Sequence, residues 1–317
     1  MKPEASLGAV SLLKQYFESA LVCKATNRHF GVEIETLFVD SVTEKPISKE
    51  CSQGIMLGLV KNFDWRVQGQ FRDVYGELVK DEFILKYDVG CNLFEMVTPA
   101  VRLLSKESLF ARMQGYLNEL YEVARSLKAQ PLFKHCDYDT SNTVLESTEM
   151  DSLYWDLNGP AIIYLGHIAA IHYNIDLTSI EEGMSMMKRV LNLSEQKNWP
   201  PPESLQYWKE FMESSVAKYE SKRFGPPPVD YDEYLTTLGS LRVFMNNGEQ
   251  GLFLERPPKT LEECSTADLN LFVTYVWWWV RFRVRNDKLV LEIRTVPRQK
   301  DADIVTNFNE IITACAS

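Results

Sequence analysis

The order of periodicities along the sequence predicts an α+β fold. Long segments alternate apolar and polar residues at the strand period of two, helix-period segments lie between them, and no run of short parallel βαβ units occurs. Proline clusters at Pro200–Pro202, Pro226–Pro228 and Pro257–Pro258 each predict a break in regular structure and a surface connection. No internal repeat, low-complexity tract or long polar linker divides the chain, so one interlocked domain over residues 1–317 is expected.

Leu7, Val10, Leu13, Phe17 and Leu21 form one face of a first helix. Phe30, Val32, Ile34 and Phe38 alternate as a strand, and 83–98 reads as strand, bend at Gly90, and strand again. Leu109, Met113, Tyr116, Leu117, Leu120 and Ala124 define a long amphipathic helix. Ile168–Leu177 alternates strictly, after which Ser179 and Glu182 make a capping box that opens another helix. Leu205, Trp208, Phe211 and Met212 mark a further helix. Val273–Val284 and Leu289–Val296 read as a hairpin turned at Asn286–Asp287, followed by a helix from about residue 302 to the end.

With 45% hydrophobic and 25% charged residues the chain can build a sizeable core, which excludes wholesale disorder. The 34 basic and 44 acidic residues give a net charge of −10, so the basic field that grips nucleic acid is lacking and no nucleic-acid partner is expected. Cys23, Cys51, Cys91, Cys136, Cys264 and Cys315 are scattered without C-x-x-C or zinc spacing and read as reduced, intracellular thiols. Glu4 and polar breaks interrupt the apolar run a secretory signal would need, and Leu271–Val280 is only about half a membrane span. A cytoplasmic protein with no membrane partner is expected.

Glycine-rich phosphate loops, H-E-x-x-H and G-x-S-x-G are absent. The chemistry instead lies in polar stripes on strands. In GVEIETL, Glu33 and Glu35 share one strand face about 7 Å apart, either as a solvated face or as oxygen ligands for a hard cation. In DVGCNLFEMVTP, Glu95 sits between Leu93 and Val97 on an otherwise apolar face, where it needs a salt bridge to an arginine or a metal. In AIHYNIDL, His172, Asn174 and Asp176 occupy one face and Ile171, Tyr173 and Ile175 the other, which favours a site lining; His135 and His167 lack such neighbours and read as structural. In LEIRTVPR, Glu292 and Arg294 share a face, and the companion strand aligns Arg281, Arg283 and Arg285, either as cross-strand ion pairs or as a guanidinium cluster for phosphate or carboxylate. Together the stripes suit a multi-metal nucleotide site, in which Mg²⁺ neutralises a polyphosphate and arginine meets the transferring phosphoryl group.

In this order the motifs GVEIETL, D-x₆-E-x₂-T-P, IHYN and LEIRTVP resemble the glutamate–cysteine ligase (γ-glutamylcysteine synthetase) family of the glutamine synthetase-like carboxylate–amine ligases, over residues 27–300. The resemblance implies a curved, mainly antiparallel half-barrel sheet with helices packed on its outer side. It implies ATP as co-substrate, Mg²⁺ (or Mn²⁺) as cofactor, and amide formation through an acyl phosphate, most simply γ-glutamylcysteine from glutamate and cysteine in glutathione biosynthesis. Carried over by motif, Glu33, Glu35, Asp88, Glu95, His172 and Glu292 become metal ligands. Arg294 becomes catalytic and, with Arg283, a nucleotide contact, while Arg223, Thr98 and Asn174 become substrate contacts. The segment 195–260 matches nothing in the family, so the amine acceptor stays open between cysteine and another amine. A guanidino-kinase-like phosphotransferase and a non-catalytic relative are the rival readings. The sequence does not set the oligomeric state.

Overall fold

The computed structural model describes residues 6–141, 143, 145–249, 251–264 and 268–316; Glu4 and Ser317, both used above, lie outside them. The elements run α1 (Leu7–Glu18), β1 (His29–Asp40), α2 (Lys49–Phe63), β2 (Arg66–Phe71), β3 (Val74–Lys80), β4 (Phe83–Tyr87), β5 (Leu93–Val97) and β6 (Val101–Arg102). Then come α3 (Lys106–Ser126), β7 (Ala129–Leu132), α4 (Glu149–Asn158), β8 (Ala170–Asp176), α5 (Ile180–Lys197), α6 (Pro202–Ser214), β9 (Phe224–Gly225) and α7 (Tyr231–Gly239). The chain ends with β10 (Val243–Gly248), β11 (Gly251–Lys259), α8 (Leu269–Thr274), β12 (Trp277–Trp278), β13 (Val280–Arg285), β14 (Lys288–Pro297) and α9 (Asp301–Ala316).

A 10-stranded sheet in the order β13-β14-β8-β1-β5-β4-β3-β2 organises the molecule, with β6 and β7 also pairing β1. Every pair in it is antiparallel, and it stays open rather than closing into a barrel. The long central strand β1 is the hub because its alternation supports two different faces. Phe30, Val32, Ile34 and Phe38 enter the main apolar core with Ile171, Tyr173, Ile175, Leu291 and Ile293 from β8 and β14. Helices α1, α2, α3, α5, α7 and α9 supply the other side of that core, through residues such as Phe17, Ile55, Leu117, Met187, Tyr234 and Phe308. Each such fully buried side chain contributes roughly 1.5–3 kcal/mol, so this face fixes the register of the sheet.

A second apolar cluster, from α4, α6, α8 and β10–β12, gathers Leu157, Phe211, Tyr219, Phe244, Tyr275 and Trp277. It stands over the polar face of the sheet, and helices are packed around the sheet as a whole. Three expectations are corrected. The strand expected from Val273 begins only at Val280: Asp268 caps α8 by accepting from the Leu271 N–H, and Arg281 Nη1 donates to the carbonyls of Val273, Thr274 and Val276 at the helix end. Pro257 and Pro258 do not break β11, because they fall where its register with β10 shifts and no ladder N–H is required. Leu21 lies beyond the end of α1, exposed, and bridges to Lys288. The turn expected at Asn286–Asp287 is present, with φ of 51° and 60°, the left-handed pair that a two-residue hairpin demands.

Candidate active site

Strand pairing turns the separate polar stripes into one surface. Arg281 faces Glu292 across β13–β14, Glu292 faces Asn174 across β14–β8, and His172 faces Glu33 across β8–β1. Glu35 faces Glu95 across β1–β5, and Glu95 faces Lys86 across β5–β4. All of these but Asn174 form the floor of a cavity of about 460 Å³, and the second apolar cluster forms its roof.

One half of the floor is dominated by arginine. Glu292, 1% exposed, pairs with Arg281 Nε and with Arg285 Nη2 at 3.1 Å, and Arg294 Nη1 lies 3.7 Å away. Burial alone would raise its pKa, but Arg281, Arg294, Arg283 and Arg285 hold the carboxyl well below its ordinary value. Glu292 is thus placed as counter-ion to the arginines. Arg285 also donates to Glu33 at 2.8 Å. Against the pull of burial, His172 and Arg285 bring Glu33 down to about 2.

Arg294 lies in a β-bulge. Ile293 pairs with Tyr173 and Val296 with Ile171, so Arg294 and Thr295 together oppose the single residue His172. The Arg294 N–H is drawn to the carbonyl of Trp279 at 2.8 Å, while its guanidinium points into the cavity with Glu292 as its nearest carboxylate. Three buried donors on this side, Arg283 Nε, Arg285 Nε and Trp279 Nε1, have no partner among the described residues. A buried donor without an acceptor costs about 1–3 kcal/mol. An anionic ligand in the cavity would satisfy them.

The other half of the floor has the opposite imbalance. Asp88 and Glu95 share Lys86, whose Nζ lies 3.1 Å from Glu95, and Glu35 stands beside them. Burial raises the pKa of Glu35 well above its ordinary value, and Asp88 and Glu95 raise it further. Asp88 and Glu95 are raised too, by burial first and then by neighbouring carboxylates. His172 stands between Glu33 and Glu35, at 3.2 and 3.4 Å, and burial with Arg294 pushes it toward the neutral form that can ligate a metal. Among the described residues no three His, Cys, Asp or Glu side chains converge into a ready metal cage. The donor set nonetheless fits Mg²⁺, which takes one or two carboxylates and completes its shell with water and substrate phosphate.

Thr98 and Asn174 lie elsewhere, in an adjoining cavity of about 410 Å³ that shares Glu33 and Arg285 with the first. The Thr98 hydroxyl accepts from Val32 N–H at 2.9 Å and donates to Pro99 O, so it helps set the edge of the sheet. Arg223 lines neither cavity. It is fully buried, with Nε on Glu220 and the other two nitrogens on the carbonyls of Tyr275 and Arg242, so it is not brought together with the other expected site residues. His167 is structural as expected, held by Cys136 O and Thr140 and stacked on Tyr207. Sequence reading missed Lys86, Asp151, Tyr154, Trp208 and Trp279, all of which line the main cavity. The Lys86-x-Asp88 spacing, two residues on one strand face, was the available signal for the first.

No protein-family model matches the chain, and no curated protein sequence does. Among solved structures it is similar to a bifunctional glutathione synthetase from Pasteurella multocida, at 12% identity and TM-score 0.40 over 98% of this chain and 40% of that one. It is also similar to glutamate–cysteine ligase from Francisella tularensis in complex with AMP, at 12% identity and TM-score 0.37 over 94% of this chain and 68% of that one. The chain thus spans two fifths of the length of the first. No helix among the described residues is long and apolar enough to cross a membrane.

Proposed function

We propose that the chain is an ATP-dependent carboxylate–amine ligase acting in the main cavity. The observation that carries this is segregated charge. Arg281, Arg283, Arg285 and Arg294 crowd around Glu292 and Glu33, while Glu35, Asp88 and Glu95 are left to Lys86, which pairs with Glu95, and to the field of Arg294. Keeping like charges together on a buried floor is unfavourable unless a ligand is negative at one end and brings a cation at the other. A nucleotide polyphosphate with Mg²⁺ has that polarity. Glu35, Asp88 and Glu95, with His172, would hold the cation, which when bound supplies charge neutralisation for phosphoryl transfer. Arg294 donates to the transferring phosphoryl, and Arg283 and Arg285 hold phosphate or substrate carboxylate bidentately.

Glutamate as the carboxylate donor and cysteine as the amine rest on the motif resemblance. The test is an ATP-dependent coupling assay with glutamate and a panel of amines, read by mass spectrometry. The expected products are an amide, ADP and phosphate. AMP with pyrophosphate would contradict the acyl-phosphate route, and a phosphorylated product without amide would favour a phosphotransferase.

A further inference from the structure

The roof of the main cavity is aromatic and, among the described residues, carries no cation. Tyr154, Trp208, Phe224 and Trp277 line it, with Trp208 stacked on Phe224 at 5.1 Å and 5.6 Å from Trp277. Tyr154, Trp208 and Phe224 are only half-buried, so they keep ring surface toward the cavity. Every lysine and arginine lining the cavity belongs to the floor: Lys86 on β4, Arg281, Arg283 and Arg285 on β13, and Arg294 on β14. The charged residue on the roof is Asp151, which adds to the carboxylates below it.

We infer that the acceptor bound beneath this roof is a primary amine with an aromatic or extended apolar body and no carboxylate of its own. The inference rests on the ligase reading and names its acceptor. An ammonium group is drawn to Asp151, the roof carboxylate not assigned to the cation, and its apolar body is covered by the rings, with cation–π attraction added. An amino acid bound the same way would place its α-carboxylate among carboxylates and indoles, with no guanidinium on the roof to receive it, a desolvation cost without a partner. In the coupled reaction a glutamate carboxylate oxygen attacks the γ-phosphorus of ATP and ADP leaves. The ammonium sheds one proton, and its nitrogen then attacks the acyl carbon. The N–C bond forms as the C–O bond to phosphate breaks, phosphate departs with the electron pair, and a second proton leaves the nitrogen.

Phenethylamine and phenylalanine differ by the carboxylate alone and make the direct test. Binding is followed on the full chain by quenching of indole fluorescence, since Trp208, Trp277 and Trp279 line the cavity. Phenethylamine is expected to bind at least about tenfold tighter, equivalent to about 1.4 kcal/mol. It is also expected to be ligated to glutamate, with ADP release, faster than phenylalanine or cysteine. Trp208→Ala should weaken phenethylamine binding about tenfold and leave MgADP affinity in place. Faster ligation of cysteine or phenylalanine would overturn the inference and leave the ligase reading standing. Selective phenethylamine binding with no ADP formed from any carboxylate–amine pair would sustain the amine site and sink the ligase reading. Equal or absent binding of the two ligands would overturn the inference outright.

Discussion

Arg294 and Arg281 offer a paired test of which arginine does chemistry and which holds the structure. Both are substituted by lysine, which keeps the charge and loses the planar fork. Arg294 sits 3.7 Å from Glu292, without a hydrogen bond. At an effective dielectric near 20 that attraction is roughly 4–5 kcal/mol, and repulsion from the three neighbouring guanidinium groups offsets much of it. Glu292 also keeps Arg281 and Arg285. The Arg294→Lys protein should therefore stay within about 1 kcal/mol of the parent, a shift in Tm of no more than about 2–4 °C. Its kcat should fall by about two to three orders of magnitude, because a fixed two-point donor at the transferring phosphoryl is lost, with a smaller change in the KM for ATP. Arg281 is buried and joins Glu292 to three carbonyls at the end of α8. A lysine cannot span those partners, so Arg281→Lys should cost about 3 kcal/mol or more. Melting curves and single-turnover phosphoryl transfer on the same preparations decide the matter. An Arg294→Lys protein that melts several degrees lower and transfers phosphate normally would refute the reasoning and make Arg294 another structural ion pair.

Glu95→Gln removes a carboxylate opposite Glu35 and loses only the pair with half-exposed Lys86, so stability should hold or rise while Mg²⁺-dependent turnover disappears; normal turnover would remove Glu95 from the site. Glu35, Asp88 and Glu95 have raised folded-state pKa values, so between the unfolded values near 4 and their folded values the native state binds more protons and stability falls as pH rises. Glu33 and Glu292 act oppositely: the contribution of Glu33 is lost as pH falls toward about 2, and that of Glu292 is likewise lost on the acid side. Tm should therefore peak at mildly acid pH, and millimolar Mg²⁺ should raise it more at pH 8 than at pH 5.5; a pH-independent Mg²⁺ effect would count against a cation at these carboxylates. Arg223→Ala should cost about 3–5 kcal/mol by stranding Glu220 and two carbonyls, with the KM for substrate unchanged per folded molecule; a selective rise in KM would return Arg223 to the substrate.

Strand periodicity was sufficient for β1, β5, β8 and the β13–β14 hairpin, because one face of each is continuously apolar and the other is not. It failed for β2, whose side chains are mostly exposed and carry no alternation, and for the start of β13. There the apolar run from Leu271 to Val280 reads equally as strand or helix. Asp268 and Arg281, one at each end of α8, decide the question through hydrogen bonds that composition does not reveal. Prolines 257 and 258 misled for a related reason: whether a proline interrupts a strand depends on which N–H groups its partner strand needs.

The site was legible along strands and illegible between them. A period of two places Glu33 with Glu35 and Glu292 with Arg294, but register alone sets Glu35 against Glu95 and His172 against Glu33. The same limit hid the roles of individual charges. Within its own strand Glu292 looks like one more carboxylate, yet pairing puts it across from Arg281 and makes it the arginines' counter-ion. Arg223, in a sequence context like that of a surface basic pair, is enclosed by Tyr219, Phe244 and Phe272. The charge separation that supports an Mg²⁺–polyphosphate ligand is thus a property of strand order. The arginine-bearing β13 and β14 form one edge of the path, and β1, β5 and β4 bring the carboxylates in from its middle, with β8 between them. His172 on β8 sits at the boundary, bonded to Glu33 and beside Glu35, and the bulge that contains Arg294 lies directly across from it. A period of two already sets Arg294 on the face of Glu292; the extra residue of the bulge instead shifts the register beyond it, so that Val296 rather than Thr295 pairs with Ile171.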